Sequence, residues 1–100
     1  MKAYRKERIE NAICFFAKEY RKETKRDPSQ THIYKYLALF DFEVLKETGD
    51  SPLDLDYRAM EHGPVPIEIY GNRDNLKSDL FVFEKKGDSY FVKAKKKPNL

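Results

Sequence analysis

The stretch Asp56-Tyr-Arg-Ala-Met-Glu-His-Gly-Pro-Val-Pro-Ile-Glu-Ile-Tyr70 organises the rest of the chain. Its prolines, Pro64 and Pro66, cannot donate backbone hydrogen bonds and hold φ near about −65°. Each also moves the preceding residue out of the helical region, so Gly63 is biased toward an extended or positive-φ conformation. These restrictions predict an extended approach, a rigid corner at His-Gly-Pro-Val-Pro and a short helix over roughly 66–71. On spacing alone, the corner is a structural turn.

The length and composition predict a single folded domain. The 100 residues include fourteen aromatic side chains, seven Tyr and seven Phe, which can supply large buried areas. No apolar run approaches the roughly 20 residues that a membrane span needs, and no apolar signal core follows the basic N-terminus. Cys14 is the only cysteine and cannot form an internal disulfide, and no Cys/His cluster has zinc-ligand spacing. We therefore expect a soluble, cytoplasmic protein.

Charge is segregated along the chain. Residues 1–26 carry nine basic and four acidic side chains, a net charge of +5, and residues 27–70 carry three and nine, a net charge of −6. Residues 71–100 carry eight and four, which returns the total to +3. Because such a chain can pair its charges internally once folded, its overall basicity is weak evidence for nucleic-acid binding.

Two long helices are predicted in the first half of the chain. Apolar residues from Ile9 to Tyr20 recur with a 3.6-residue period, which predicts a helix over 4–25. Asp27 or Ser29 can cap a second helix, which should run to about Thr48 with Gly49 as its stop.

The second helix is apolar on nearly every face. Its main stripe can pack on the first helix and comprises Ile33, Tyr36, Leu37, Phe40 and Val44. Other apolar side chains lie off this stripe, and a candidate partner surface is drawn from them: Tyr34, Leu39, Phe42 and Leu45. Because large exposed apolar patches usually mark interfaces, we expect a second copy of the chain to cover the remainder through a two-fold contact.

The second half of the chain contains extended segments. Leu53, Leu55 and Tyr57 alternate with acidic residues, which predicts a strand or extended segment before the corner. Two apolar runs on either side of Gly87-Asp88 predict an antiparallel hairpin. The predicted fold class is α+β: two long helices, a short third helix after the His-Gly-Pro-Val-Pro corner and a C-terminal hairpin.

The sequence offers no convincing catalytic or metal set. His32 has Tyr36 rather than a ligand at i+4, so it is interpreted as a capping or surface residue. Asp41 and Glu43 point to different helix faces. His62 could form a dyad with Glu61 or Asp56, but nothing supplies a nucleophile or oxyanion donors. We expect neither an enzyme nor a cofactor.

The order of elements and several motifs resemble the Panacea domain, the SocA-like antitoxin family. The resemblance covers roughly residues 8–97. One part is Tyr34–Asp41, which is similar to a Lys-Leu-Leu-Tyr-Phe-Ala-Asp type of helix, with the aromatic residue relocated. The other part is a Gly-Pro-Val motif preceded by Tyr-x-Ala and followed by a short helix ending in Ile-Tyr; its residues are Tyr57, Ala59, His62, Gly63, Pro64, Val65 and Tyr70.

This resemblance implies an antitoxin of bacterial or phage-associated origin that neutralises a toxin by direct protein contact. Some members of the family act as adaptors that deliver a toxin to a protease. Neither a cofactor nor a catalytic residue comes with the family. Its members generally continue into further helices after the hairpin, so residues 1–100 are expected to form one Panacea-like domain that is short or truncated after the hairpin.

The sequence leaves a winged-helix DNA-binding regulator as the alternative. Three helices followed by a hairpin is that fold's order, and Lys85-Lys86 with the terminal lysines could form a wing. The third helix, however, begins Ile67-Glu-Ile-Tyr70, whereas helices that enter the major groove need basic and amide side chains. This composition argues against nucleic acid as the partner. A small hydrolase or nuclease has the least support.

Overall fold

The computed structural model describes residues 5–72 and 78–95. Residues 1–4, residues 73–77 and the terminal lysines, from residue 96 onward, lie outside the described residues. The elements in chain order are α1 (Arg5–Thr24), α2 (Gln30–Thr48), β1 (Tyr57–Met60), β2 (Gly63–Pro66), α3 (Ile67–Asn72), β3 (Phe81–Lys86) and β4 (Ser89–Ala94). The predicted α+β architecture, with two long helices, a short third one and a C-terminal hairpin, is confirmed.

The ends of α2 follow the residues predicted to set them. The Ser29 hydroxyl accepts a hydrogen bond from the backbone N–H of His32, at 3.4 Å, and satisfies a first-turn donor of the helix. At the other end Gly49 adopts φ 77°, and its N–H donates to the carbonyl of Leu45 at 2.7 Å. This left-handed stop is favourable because glycine has no Cβ to clash.

The core lies between the two long helices and the C-terminal hairpin. Its largest fully buried apolar side chains come from α1, α2, the loop after α2, β3 and β4: Ile13, Ile33, Leu37, Leu53, Phe81 and Val92. Phe16 of α1 contacts Tyr36 and Phe40 of α2, with ring centroids 5.5 and 6.3 Å apart, so the predicted packing of these helices is present.

The buried face of α2 is rotated from the predicted stripe. Tyr34, Ala38 and Asp41 are buried, whereas Phe40 of the predicted stripe is 38% exposed. The reason is that β2 and the segment after α2 cover the side opposite α1. Burial of α2 therefore depends on residues far along the chain.

The His-Gly-Pro-Val-Pro segment turns the chain at Glu61-His62 and continues as β2 into α3. Strand β1 pairs antiparallel with β2, from Met60 opposite Gly63 to Tyr57 opposite Pro66. Just beyond the strands, the N–H of Ile67 donates to the carbonyl of Asp56 at 3.1 Å. Bonded and non-bonded positions alternate in an antiparallel ladder, so both prolines fall where no N–H is needed.

The extended segment before this hairpin is shorter than the alternation predicted. Strand β1 begins only at Tyr57, and residues 53–56 form a loop in which Asp54 has φ 52°. A positive φ interrupts the extended conformation, although Leu53 and Leu55 are both buried. The alternating apolar residues Leu53 and Leu55 are therefore buried side chains of a loop rather than positions in a strand.

The C-terminal hairpin is joined to the segment between α1 and α2. Lys86 pairs with Ser89 across the predicted Gly87-Asp88 turn, in which Gly87 has φ 64°. On the other edge of β4, the N–H of Val92 donates to the carbonyl of Pro28 at 2.9 Å, and Ser29 forms a bridge with Phe91. The segment before α2 thus occupies an edge that would otherwise be open.

Arg5 joins α1 to α3 and to the loop after α2. Its guanidinium donates to both carboxylate oxygens of Glu68, at 2.6 and 2.9 Å, and to the carbonyls of Leu53 and Asp54, each at 3.0 Å. The hydrogen bond from Arg5 lowers the pKa of Glu68 below its ordinary value, and the same bond raises the pKa of Arg5. The Arg5 side chain therefore links α1, α3 and the loop after α2.

Among the helices of the described ranges, none combines the length and the apolar character that crossing a membrane requires.

Candidate partner-binding surface

Large apolar side chains of α2 remain exposed, and three of them are more exposed than Phe40, which packs against Phe16. Leu39 is 58% exposed, Phe42 51% and Leu45 44%. They are spaced three residues apart, so neighbouring members lie side by side along the helix. We call these three residues the α2 patch. Tyr34, predicted to belong to the same surface, is only 2% exposed because its ring lies within the core, and it is excluded from the patch.

Beneath the patch, a buried carboxylate attaches the following loop and β1 to α2. Asp41 is 1% exposed; its Oδ1 accepts from the backbone N–H of Leu53 at 2.7 Å, and its Oδ2 accepts from the Tyr57 hydroxyl at 2.8 Å. Burying a carboxylate is costly unless its oxygens are hydrogen-bonded, and here each oxygen has a donor. Asp41 therefore serves as an anchor for the chain that follows α2.

Tyr57 connects this anchor to the patch. Its ring lies against that of Phe42 in an edge-on arrangement, with centroids 5.6 Å apart and an interplanar angle of 64°. Burial, together with the hydrogen bond to Asp41, raises the pKa of the Tyr57 hydroxyl well above its ordinary value. The hydroxyl therefore stays protonated at neutral pH and continues to donate to Asp41, which fixes the tyrosine ring. One side of Phe42 lies against this ring, and the other side faces solvent.

The residues of the Gly-Pro-Val motif shape the β1–β2 hairpin. Gly63 has φ 120°, and a Cβ at this position would lie 3.4 Å from Cε of Lys35. Ala59 and His62 are exposed on β1 and at the turn. Pro64 and Val65 are half-buried in β2, and Tyr70 of α3 is 39% exposed. Within the motif, Tyr57 contacts the α2 patch through the ring of Phe42.

The other candidate residues from the sequence do not form a catalytic or metal-binding group in the part of the chain that the structure describes. His32 is exposed at the start of α2, with Nδ1 2.9 Å from the Ser29 hydroxyl, which confirms its interpretation as a capping or surface histidine. Asp41 is buried while Glu43 is exposed, so the two carboxylates do not face each other. Within residues 5–72 and 78–95, no three His, Cys, Asp or Glu side chains gather into a metal-binding group.

An open cleft of about 490 Å³ lies between the start of α1 and β3. Lys6 and Lys95 line it together with Glu10 and Asp79. Within it, the Ser78 hydroxyl donates to Glu10 at 2.9 Å. Its charges are mixed, so the cleft does not select for one sign of ligand.

Comparisons of the chain with models of protein families, with curated proteins and with solved structures gave no match.

Proposed function

We propose that this protein is an antitoxin-type module that neutralises a toxin by direct protein contact through the α2 patch, in the cytoplasm of a bacterium. Protease delivery, as in some Panacea-domain proteins, would use the same contact. The observation that supports the proposal most directly is the exposure of Leu39, Phe42 and Leu45. Apolar side chains grouped on one helix face are typical of sites that a partner covers.

The architecture under the patch favours recognition of a protein surface. Asp41 fixes Tyr57, whose ring lies against Phe42, so a partner does not have to order the Phe42 ring when it binds. Preorganised aromatic side chains contribute strongly to protein interfaces because little conformational entropy is lost on contact. The resemblance of residues 34–41 and 57–70 to the Panacea domain supplies the toxin as the class of partner.

The proposal is tested by co-expression with the reading frame next to this one. We expect the neighbouring frame alone to arrest growth and co-expression of this protein to restore it. Leu39→Asp should abolish the rescue because it places a charge in the α2 patch. Lys18→Asp, on an exposed position of α1, is the matched control and should retain the rescue.

Co-elution of purified proteins tests the same proposal. The toxin should co-elute with the wild type and with Lys18→Asp, but not with Leu39→Asp, provided that circular dichroism shows all three to be folded. A neighbouring product that is not toxic, or a rescue that survives Leu39→Asp, would contradict the proposed function.

A winged-helix regulator is the competing function, favoured by the element order and by Lys85 and Lys86 near the hairpin turn. Their ammonium groups lie 5.9 and 5.6 Å from the ring centres of Tyr90 and Phe91 on the neighbouring strand. In α3, Glu68 is ion-paired with Arg5 and Ile69 is buried, so these two side chains are poorly suited to reading DNA. Titration with mixed-sequence duplex should show weak, steeply salt-dependent binding. Sequence-selective nanomolar binding at physiological salt would favour the regulator.

A further inference from the structure

Strand β1 has an open edge. Because Asp56 bonds to Ile67 across the ladder, the alternation turns the N–H and C=O groups of Tyr57 and Ala59 away from β2. Within residues 5–72 and 78–95, no backbone hydrogen bond reaches these outward groups. Helix α2 packs mainly against β2 and contacts β1 through the side chain of Tyr57, and the other residues of β1 are exposed.

The other strand of this hairpin is protected from edge pairing. Pro64 and Pro66 lack the N–H groups that the outer edge of β2 would otherwise present. Proline is a common way to prevent unwanted strand pairing, whereas a strand with free donors and acceptors accepts another strand. The hairpin is therefore open to a strand on the β1 side only.

We propose that the strand that adds to β1 is β1 of a second copy of this chain, paired antiparallel with Tyr57 on the two-fold axis. The two Tyr57 residues exchange backbone hydrogen bonds in this register. Asp56 of each copy then lies opposite Arg58 of the other, at a non-hydrogen-bonded position where facing side chains approach most closely. Two symmetric ion pairs result from one contact.

Charge selects this register over its neighbours. Asp56 and Arg58 are both exposed, and neither forms an ion pair with another described residue. Moving the axis to Arg58 would place two arginines opposite each other, which is destabilising. Moving it to Ala59 would place Arg58 opposite Met60 and leave both charges without their partner. Of these three positions of the axis, only Tyr57 places Asp56 of one copy opposite Arg58 of the other.

The dimer also covers part of the exposed aromatic surface. Phe42 contacts Tyr57 and therefore lies beside the proposed axis, where its exposed side approaches the second copy. The edge pairing uses neither Leu39 nor Leu45. A toxin can therefore still contact those two residues in the dimer, whereas the exposed side of Phe42 is shared between the two proposed contacts.

Sedimentation velocity over a micromolar concentration series tests the dimer. The wild type should change from monomer to dimer, and Arg58→Asp should raise the dimer dissociation constant by about tenfold or more, because Asp56 would then face a carboxylate. Asp56→Arg should weaken the dimer similarly. The double variant Asp56→Arg with Arg58→Asp restores opposite charges and should recover the wild-type constant.

Ala59→Pro tests the edge itself, since it removes an outward N–H without removing a bond to β2. This variant should remain monomeric while its circular dichroism matches that of the wild type. A wild type that stays monomeric throughout the series would overturn the proposal. So would a dimer that Arg58→Asp leaves unchanged, a folded double variant that fails to recover, or a dimer that Leu39→Asp dissociates and Arg58→Asp does not.

Discussion

Asp41 is the residue whose removal should disturb the site most. In Asp41→Asn only one side-chain oxygen can accept, so either the Leu53 N–H or the Tyr57 hydroxyl would face an amide donor. An unsatisfied buried donor costs about 1–3 kcal/mol, and we expect a loss of that size in the free energy of unfolding from urea denaturation. Glu43→Gln, exposed on the same helix, should change it by less than about 0.5 kcal/mol. Equal effects of the two substitutions would contradict the anchoring role.

Substitution of Gly63, the glycine of the Gly-Pro-Val motif, should destabilise the protein. Its φ of 120° is strained for any residue with a Cβ, so Gly63→Ala should reduce stability by about 1–3 kcal/mol. Gly71 provides the control because it lies in α3, and a Cβ there meets no described atom within 4 Å. Gly71→Ala should be neutral or stabilising in thermal unfolding. A melting temperature unchanged by Gly63→Ala would argue against this reading.

Sequence reasoning could not identify the role of Asp41. Its two donors come from residues 12 and 16 positions further on, one of them a backbone N–H that carries no sequence signal. The exposure of Leu39 and Phe42 was predictable, because helical periodicity assigns them to faces that α1 does not cover. Tyr34 was assigned to the same surface but is buried. The sequence of α2 alone does not indicate which of its faces β2 and the later segments cover.

At the scale of elements, local chemistry set what could be predicted. Helix α2 begins after Ser29 and ends before Gly49, and the Gly87-Asp88 turn joins two strands, as expected. The β1–β2 hairpin was not foreseen as a strand pair, because two prolines within four residues are typical of a corner. Their spacing of two is the signal that could have revealed it, since it matches the alternation of an antiparallel ladder.

The same alternation gives a prediction for the β1–β2 hairpin. Val65→Pro would remove an N–H at a bonded position of β2 and leave the facing carbonyl of Arg58 without its donor, at a cost of about 1–3 kcal/mol. Pro64→Ala, one residue earlier, adds an N–H at a non-bonded position and should change stability by less than about 1 kcal/mol. Chemical denaturation of the two variants provides the comparison. If Pro64→Ala proved the more damaging, the register would be wrong.

At the scale of the whole molecule, the contact between Arg5 and Glu68 makes stability depend on pH. The folded pKa of Glu68 is lowered, so its contribution is present above the unfolded value of about 4.3 and is lost as pH falls through the folded pKa. We therefore expect Glu68→Gln to lower the urea midpoint at neutral pH and to match the wild type in strong acid.

Glu47→Gln is the control for this pH dependence, since Glu47 is exposed on α2 and forms no ion pair with another described residue. Its urea midpoint should follow that of the wild type at both pH values. A Glu68→Gln deficit that persisted unchanged into acid would show that the ion pair is not the cause.

The bond between Val92 and Pro28 has a consequence for synthesis of the chain. The two residues are 64 positions apart, and the edge that Pro28 occupies does not exist until β4 has been made. At about 5–20 residues per second, α1 and α2 wait several seconds on the ribosome with Ile13, Ile33 and Leu37 lacking Phe81 and Val92 as cover. Folding of this unit should thus be completed only after β4 has been synthesised, and nascent chains stalled before β4 should be sensitive to proteases and chaperone-bound.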